Sequence, residues 1–496
     1  MNTQQASKPG KPLRYVIIGA GMSGLLTAIK LNERGDHDFV VYEKGDKVGG
    51  TWRENHYPGL ACDTPAHSYT YSFAFNPNWS SFYAPGPEIR QYFESVATRY
   101  DLHKSIVFNT EVSSCIYKDG RWHIGTKDGR TDIADVVVAA SGVLHHPLVP
   151  DIPGLADFKG AWFHSARWDD SVPLDGRRIG VIGNGSTGVQ IVSALSKRAQ
   201  KVVHFLRSPQ WIMPCVNPQY TPEQQQAFNA DPAKIEEVRS GPEAAARRAR
   251  FTSAIIDVDS PELAEIQAIV EKHLEESIKD PVLREKLRPT YRAACKRLVF
   301  SPDYYKAVQE PTVAVETSGI ERVEANGIRL KDGSFHELDV LALATGFKVD
   351  QFVRPMVVQG RDGAQLDEFW TEHPRAYYAV TVPKFPNFFL LNGPTGPVGN
   401  FSLIDISEHQ WAYVDKLLDE VRSGRCVGVE PTLAALEDYE VRRTEAAKKT
   451  VFASGCKSWY LDASGVPLVW PWSYAYFVEV MAAPKLSDYE LLPATA

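Results

Sequence analysis

The chain has 496 residues, 44% hydrophobic and 23% charged, with a net charge of −7. That size and balance suit a soluble globular enzyme of two or three domains. An acidic total argues against a nucleic-acid partner, no apolar run reaches membrane-spanning length, and local basic clusters read as nucleotide-phosphate sites. Met1 to Gly10 is short and polar and reads as neither a signal nor a transit peptide. Cys62, Cys115, Cys215, Cys295, Cys426 and Cys456 include no Cys-x-x-Cys pair. Neither a disulfide framework nor a redox dithiol is expected, no metal site is indicated, and a cytoplasmic location fits.

Arg14 to Ile18 reads as a buried strand. The loop Gly19-Ala20-Gly21-Met22-Ser23-Gly24 follows it, and Leu25, Leu26, Ala28, Ile29 and Leu31 then repeat at helical spacing. Gly35 breaks the helix, and Phe39 to Glu43 reads as a second strand. Strand, glycine turn, helix, strand is the setting in which backbone N–H groups and a helix N-terminus meet a pyrophosphate. Glu43 stands nineteen residues after Gly24. A carboxylate there accepts hydrogen bonds from a free ribose 2′-hydroxyl, as in FAD or NAD. A hairpin from Ile116 to His123 turns on Asp119-Gly120, and Asp135 to Gly142 reads as the strand closing this module.

The Pro-rich run from His145 to Pro153 reads as a crossover. A second unit then begins: strand Arg178 to Ile182, loop Gly183-Asn184-Gly185-Ser186-Thr187-Gly188, a helix through Val189, Ile191, Val192 and Leu195, and strand Lys201 to Arg207. Arg207 lies nineteen residues after Gly188. An arginine there pairs with a 2′-phosphate, as in NADPH. Residues 218–290 interrupt this module with a helical insertion, where Ser260 and Pro261 start a helix whose apolar face carries Leu263, Ile266, Ile269, Leu274 and Ile278. It reads equally as a cover for the active site and as a solvated excursion. A hairpin from Ile328 to Phe335 and a strand from Asp339 to Gly346 repeat the ending of the first module. Pro386 to Pro394 is strand-like and includes Asn392-Gly393, a helix from about 406 to 422 follows, and aromatics gather at Ser458-Trp459-Tyr460 and Trp470-Pro471-Trp472. The fold class is α/β, with two Rossmann-like domains: residues 1–145 with 385–496, and residues 146–384. Two dinucleotides in one chain imply electron transfer between them.

Phe158, Gly160, His164, Trp168 and Asp169 match all five positions of Phe-x-Gly-x-x-x-His-x-x-x-Trp-(Pro/Asp). This resembles the fingerprint of the type I Baeyer–Villiger monooxygenases, and the resemblance covers essentially the whole chain. Gly49-Gly50-Thr51-Trp52 and the stretch from Tyr57 to Asp63 resemble that family's flavin-contacting loops. The resemblance implies an FAD site that includes Gly19, Gly21, Met22, Ser23, Gly24, Glu43, Lys44, Gly50, Thr51, Trp52, Asp63, Tyr69, Val112 and Asn392. It implies an NADPH site at Gly183, Gly185, Ser186, Thr187 and Gly188. Arg207, Ser208 and Lys296 complete that site at the 2′-phosphate, and Trp459 lies beside the nicotinamide. Arg297 takes the place of the catalytic arginine, with Asp63 to orient it. His164 is grouped with them, as a residue coupling the domains rather than a proton donor.

The implied activity converts a ketone and O2 to an ester or lactone. An anionic oxygen donor needs a fixed cation that cannot lose its proton, which arginine supplies. Rivals are an N- or S-oxygenating flavin monooxygenase, an NADPH oxidase or disulfide reductase, and a non-catalytic NADPH-binding regulator. Trp168-Asp169 and Arg297 count against the first, the missing Cys-x-x-Cys against a reductase, and the intact fingerprint against the regulator. The pocket is expected from residues 218–290 and from loops near 395–405 and 452–475. Neither the ketone nor the oligomeric state can be read from these residues.

Overall fold

The computed structural model describes residues 12–397 and 401–494. Met1 to Gly10, and residues 398–400 of the expected pocket loop, lie outside them. Two five-stranded parallel sheets organise the chain. The first runs Phe388–Leu390, Val136–Ala139, Tyr15–Ile18, Phe39–Tyr42, Ile106–Val107. The second runs Ala161–His164, Val340–Leu343, Arg178–Ile182, Lys201–Phe205, Val313–Glu316. Each places the strand that enters its glycine loop at the centre. These strands are short apolar runs because both sheet faces are covered: every residue of Tyr15–Ile18, Val136–Ala139 and Val340–Leu343 is buried. The duplication extends to side chains. Asp135 accepts the Arg14 backbone N–H at 2.9 Å, and Asp339 accepts that of Arg178 at 2.9 Å.

The helices after the loops are Met22–Arg34 and Ser186–Leu195. A Cβ on Gly24 would overlap the Gly19 carbonyl oxygen, and one on Gly188 that of Gly183. Only glycine lets each helix approach its strand this closely. The first helix ends where expected. Gly35 is left-handed (φ 90°), and its N–H and that of Asp36 return to the carbonyls of the last turn. Both expected hairpins form, by pairing Val112–Lys118 with Arg121–Thr126 and Gly327–Leu330 with Phe335–Glu337. Strand Val357–Gln359 pairs with Val112–Lys118. It therefore joins the β-structure of the first module although it lies within the range 146–384.

The insertion consists of helices Pro222–Ala230, Pro232–Ser240, Pro242–Ile256, Pro261–Ser277 and Pro281–Lys286. Each begins on proline, which needs no N–H partner at a helix start. Ser260 caps the fourth by accepting the Leu263 N–H. Its buried stripe is Leu263, Ile266, Val270 and Leu274. Val270 takes the place expected of Ile269, because the stripe drifts with the 3.6-residue turn. Ile278 is buried but sits at the C-cap, past the last turn. The later helix begins at Leu403, not 406, and runs to Arg422.

No disulfide framework forms among the described residues, but one cross-link does. Cys295 and Cys456 form a disulfide across 161 residues of sequence. Close Cys spacing reports only local pairs, and this one is made by tertiary folding. The bond joins the segment that leads into Lys296-Arg297 to the loop carrying Trp459. Such cross-links contribute about 2–4 kcal/mol, in large part by restricting the unfolded chain. Reduction is expected to lower the thermal midpoint by several degrees in a fluorescence melt. Cys456→Ser should melt at the reduced value and be insensitive to reductant; identical melts for all three samples would show that the bond contributes nothing.

Candidate active site

A cavity of about 430 Å³ opens between the two glycine loops. Gly19, Gly21, Met22, Ser23, Glu43 and Lys44 line it from the first unit, with Gly50, Thr51, Trp52 and Tyr69 from the following loops. Val112 and Asn392 complete that side, and Ser186 and Thr187 face them from the second unit. Asp63, Arg297 and Trp459 stand in the same wall. Of the residues expected at the flavin, only Gly24 is outside the lining, because it packs helix on strand.

Chain topology aims these groups. Glu43 directly follows strand Phe39–Tyr42 and is buried, where its carboxylate accepts N–H groups of Ala20 and Gly45 and a guanidinium N–H of Arg53, each at 2.8 Å. The acceptor is thus fixed at the loop it would serve. Trp52 donates to the Tyr69 hydroxyl at 3.2 Å. Asn392 donates to Ser407 on helix Leu403–Arg422 at 2.7 Å, while its buried Oδ1 has no partner. A buried acceptor without a donor, set in a cavity wall, fits a ring N–H or hydroxyl of a bound group. Tyr57 ties the units together, donating to Gln190 at 2.9 Å and lying 3.2 Å from the Thr187 hydroxyl.

Gly185 opens the second helix, and a Cβ there would meet nothing within 4 Å. That free space, beside backbone N–H groups, suits a pyrophosphate. Asn184 donates to the Ser208 carbonyl at 2.7 Å, holding the loop against the end of strand Lys201–Phe205. Lys296 reaches the Ser208 hydroxyl at 2.7 Å. Burial, and then the positive charge of Arg207, lowers the Lys296 pKa. Two mutually repelling cations, one of them bonded to the Ser208 hydroxyl, suit an anionic ligand. Gly183, Gly188, Arg207, Ser208 and Lys296 lie outside the cavity lining; Gly188 is buried, packing helix on strand as Gly24 does, whereas Arg207 is exposed.

Arg297 and Asp63 meet in three hydrogen bonds: Nε to Oδ2 at 3.1 Å, and Nη2 to Oδ1 at 2.7 Å and to Oδ2 at 2.8 Å. The paired Asp63 charge raises the guanidinium pKa further, against the opposing effect of burial. Their side chains are 36% and 19% exposed, and that exposure opens into cavities. Both residues also line a second cavity of about 350 Å³. The pair therefore stands where the two spaces join. Tyr460, missed in the sequence, shares the wall of this second cavity with Arg297 from the loop of Trp459, and the Arg297 charge lowers its pKa against the larger upward effect of burial. Trp459 packs against Tyr460 with centroids 4.0 Å apart and the rings tilted by 30°, and is 45% exposed.

His164 lies in neither wall. Its Nδ1 accepts the Ala166 N–H at 3.1 Å, so Nε2 carries the proton and donates to the Gly346 carbonyl at 2.9 Å. Burial lowers its pKa. Both nitrogens are engaged by backbone groups, an arrangement that suits the domain-coupling part expected of it. Trp168 packs on Phe163 and Tyr57, with centroids 4.6 and 6.5 Å apart. A Cβ on Gly160 would overlap the Asp339 carbonyl. These fingerprint residues pack around edge strand Ala161–His164 and, through Tyr57, against the other unit.

Residues 13–226 match the family described as flavin-binding monooxygenase-like. The chain is 43% identical to an uncharacterised monooxygenase of Mycobacterium tuberculosis over 97% of both chains. It is 38% identical to a Baeyer–Villiger monooxygenase of Streptomyces coelicolor, over 98% of this chain and 94% of that one. The chain belongs to the type I Baeyer–Villiger family of flavoprotein monooxygenases. The structure of cyclohexanone monooxygenase from Rhodococcus sp. Phi1 bound to NADP+ superimposes with a TM-score of 0.86 at 31% identity, covering 97% of this chain and 99% of that one. As a member of the Baeyer–Villiger family the chain is a flavin-dependent monooxygenase, and its two loops fit FAD and NADPH. No helix among the described residues is long and apolar enough to cross a membrane.

Proposed function

We propose that the enzyme inserts one oxygen atom of O2 beside a ketone carbonyl, giving an ester or lactone. Ketone, O2, NADPH and a proton yield the ester, NADP+ and water. The observation that carries this reading is the Arg297–Asp63 pair at the junction of the two cavities. Bound FAD and NADPH supply the electrons and the reaction with O2. In this reading residues 1–145 and 385–496 hold FAD, with strand 357–359 added to them, and residues 146–384 hold NADPH. Glu43 receives the flavin ribose. Arg207, Ser208 and Lys296 receive the 2′-phosphate, and Trp459 covers the nicotinamide. Arg297 holds a permanent positive charge where negative charge develops on oxygen, and Asp63 fixes its orientation. Tyr57 and the His164 strand keep the two halves in register.

Purified protein supplied with NADPH should convert members of a linear, cyclic and aryl ketone panel to esters or lactones, read by gas chromatography. Oxidation of a thioether or an amine without any ketone product would favour the N- or S-oxygenating alternative. The protein should also be yellow. Cys62 stands in the wall of the FAD cavity, but burial pushes its thiol pKa up to about 12, away from the reactive thiolate, and no His, Cys or Tyr sits in an obvious attachment motif. Acid should therefore release free FAD into the supernatant; a flavin that stays with the precipitated chain would contradict this.

A further inference from the structure

The second cavity has an unusual wall. Helix Pro242–Ile256 presents Ala244, Arg247, Arg248, Phe251 and Ile255 to it. These positions follow the i, i+3, i+4, i+7 stripe that an amphipathic helix normally fills with apolar side chains. Here two of them are arginines, while Ala245, Ala246 and Ala249 face solvent. The polarity of this turn is inverted. Alanine outside and arginine inside costs solvation unless the inner charges have a use.

Their partners do not neutralise them. Among the described residues Arg247 and Arg248 make no ion pair. Arg248 lies over the Tyr474 ring at 4.8 Å, and Arg247 near the Phe82 ring at 5.6 Å. A third guanidinium, Arg239, stands in the same wall, 13% exposed, with Glu236 and Asp405 each at 3.5 Å. Four guanidiniums, counting Arg297, thus stand in a wall whose lining holds two carboxylates, Asp63 and Asp405, with Glu236 pairing Arg239 from outside it. Asp63 is occupied by Arg297 and Asp405 also accepts the Tyr474 hydroxyl. The remaining wall is aromatic or aliphatic, with Phe251, Phe300, Phe401 and Phe452 prominent.

We infer that the substrate is a ketone carrying a carboxylate, which Arg247 and Arg248 bind while the apolar wall takes the carbon chain and Arg297 faces the carbonyl. This rests on the oxygenation proposed above. Guanidinium suits the role because its planar donors match a carboxylate and stay charged throughout. The two partly buried cations would then discriminate acids from neutral ketones of the same length.

Holoenzyme with NADPH would be given methyl ketones of graded length ending in a carboxylate, in its methyl ester or in a plain methyl group. Ester formation is followed by chromatography. At the best length the acid should exceed its methyl ester in kcat/KM by about 10-fold or more. Added salt should erode that advantage by raising KM for the acid alone. In R247Q and R248Q the acid-to-ester ratio should fall towards one; read within each protein, the ratio is insensitive to a general loss of activity. A straight-chain fatty acid should compete with the neutral ketone in the wild type, and its methyl ester should not, a result independent of any variant. If the neutral ketones are oxidised as well as the acids and the fatty acid does not compete, the carboxylate site is refuted while the oxygenation stands. If no ketone of any class yields an ester, both fall.

Discussion

Replacing Arg297 with alanine is expected to remove ester formation almost completely while FAD remains bound. The guanidinium is held by Asp63 in three hydrogen bonds and stands in the wall of both cavities. Negative charge developing on oxygen there would lose its fixed partner. Deleting one preorganised electrostatic stabiliser typically costs about 10²–10³ in rate. FAD should survive the change because the pyrophosphate and ribose contacts proposed for it fall on the first glycine loop and Glu43, not on Arg297. Arg297→Lys keeps a charge but not the planar fork that Asp63 engages, so only partial recovery is expected. Stopped-flow absorbance separates flavin reduction by NADPH from its reoxidation by O2, and chromatography counts ester. Ester formation by Arg297→Ala at the wild-type rate would remove Arg297 from the catalytic role.

The second large effect concerns the coenzyme. Arg207→Ala is expected to raise KM for NADPH and leave NADH nearly untouched. Charge-assisted contacts to phosphate are commonly worth about 10- to 150-fold. Arg207 is exposed, so solvent screening places its share near the lower end of that range. Lys296 is half-buried, repelled by Arg207 and bonded to Ser208. Arg207→Ala with Lys296→Ala should therefore cost more than Arg207→Ala alone. Steady-state rates with both coenzymes decide the matter: a wild type that uses NADH as well as NADPH would leave the 2′-phosphate site without a purpose.

What could be read in advance was whatever physics is local in sequence. A glycine turn, the helix after it and the residue at the next strand end lie within one short unit, so Glu43 and Arg207 were legible from spacing alone. Gly24 and Gly188 were legible as motif members, but their part, close packing against Gly19 and Gly183, needed coordinates. His164 was found by the fingerprint, yet its partners are an amide and a carbonyl, which every residue offers and no pattern marks. The Cys295–Cys456 bond and the Tyr460 contact join positions far apart in the chain, beyond the reach of spacing. The inverted turn at Ala244 to Ala249 lay between these cases. Its residues are consecutive, but which side is inside depends on what the insertion covers.

The cross-link between Cys295 and Cys456 also sets a length scale for motion. Cys295 is two residues before Arg297, and Cys456 is three residues before Trp459. An extended chain spans at most about 3.6 Å per residue, so three residues give Trp459 a leash of about 11 Å from its anchor. While the bond is intact, the backbone at Trp459 is tethered through Cys456 to the segment that carries Arg297. Breaking the bond would lengthen that leash without altering a single side chain in either cavity.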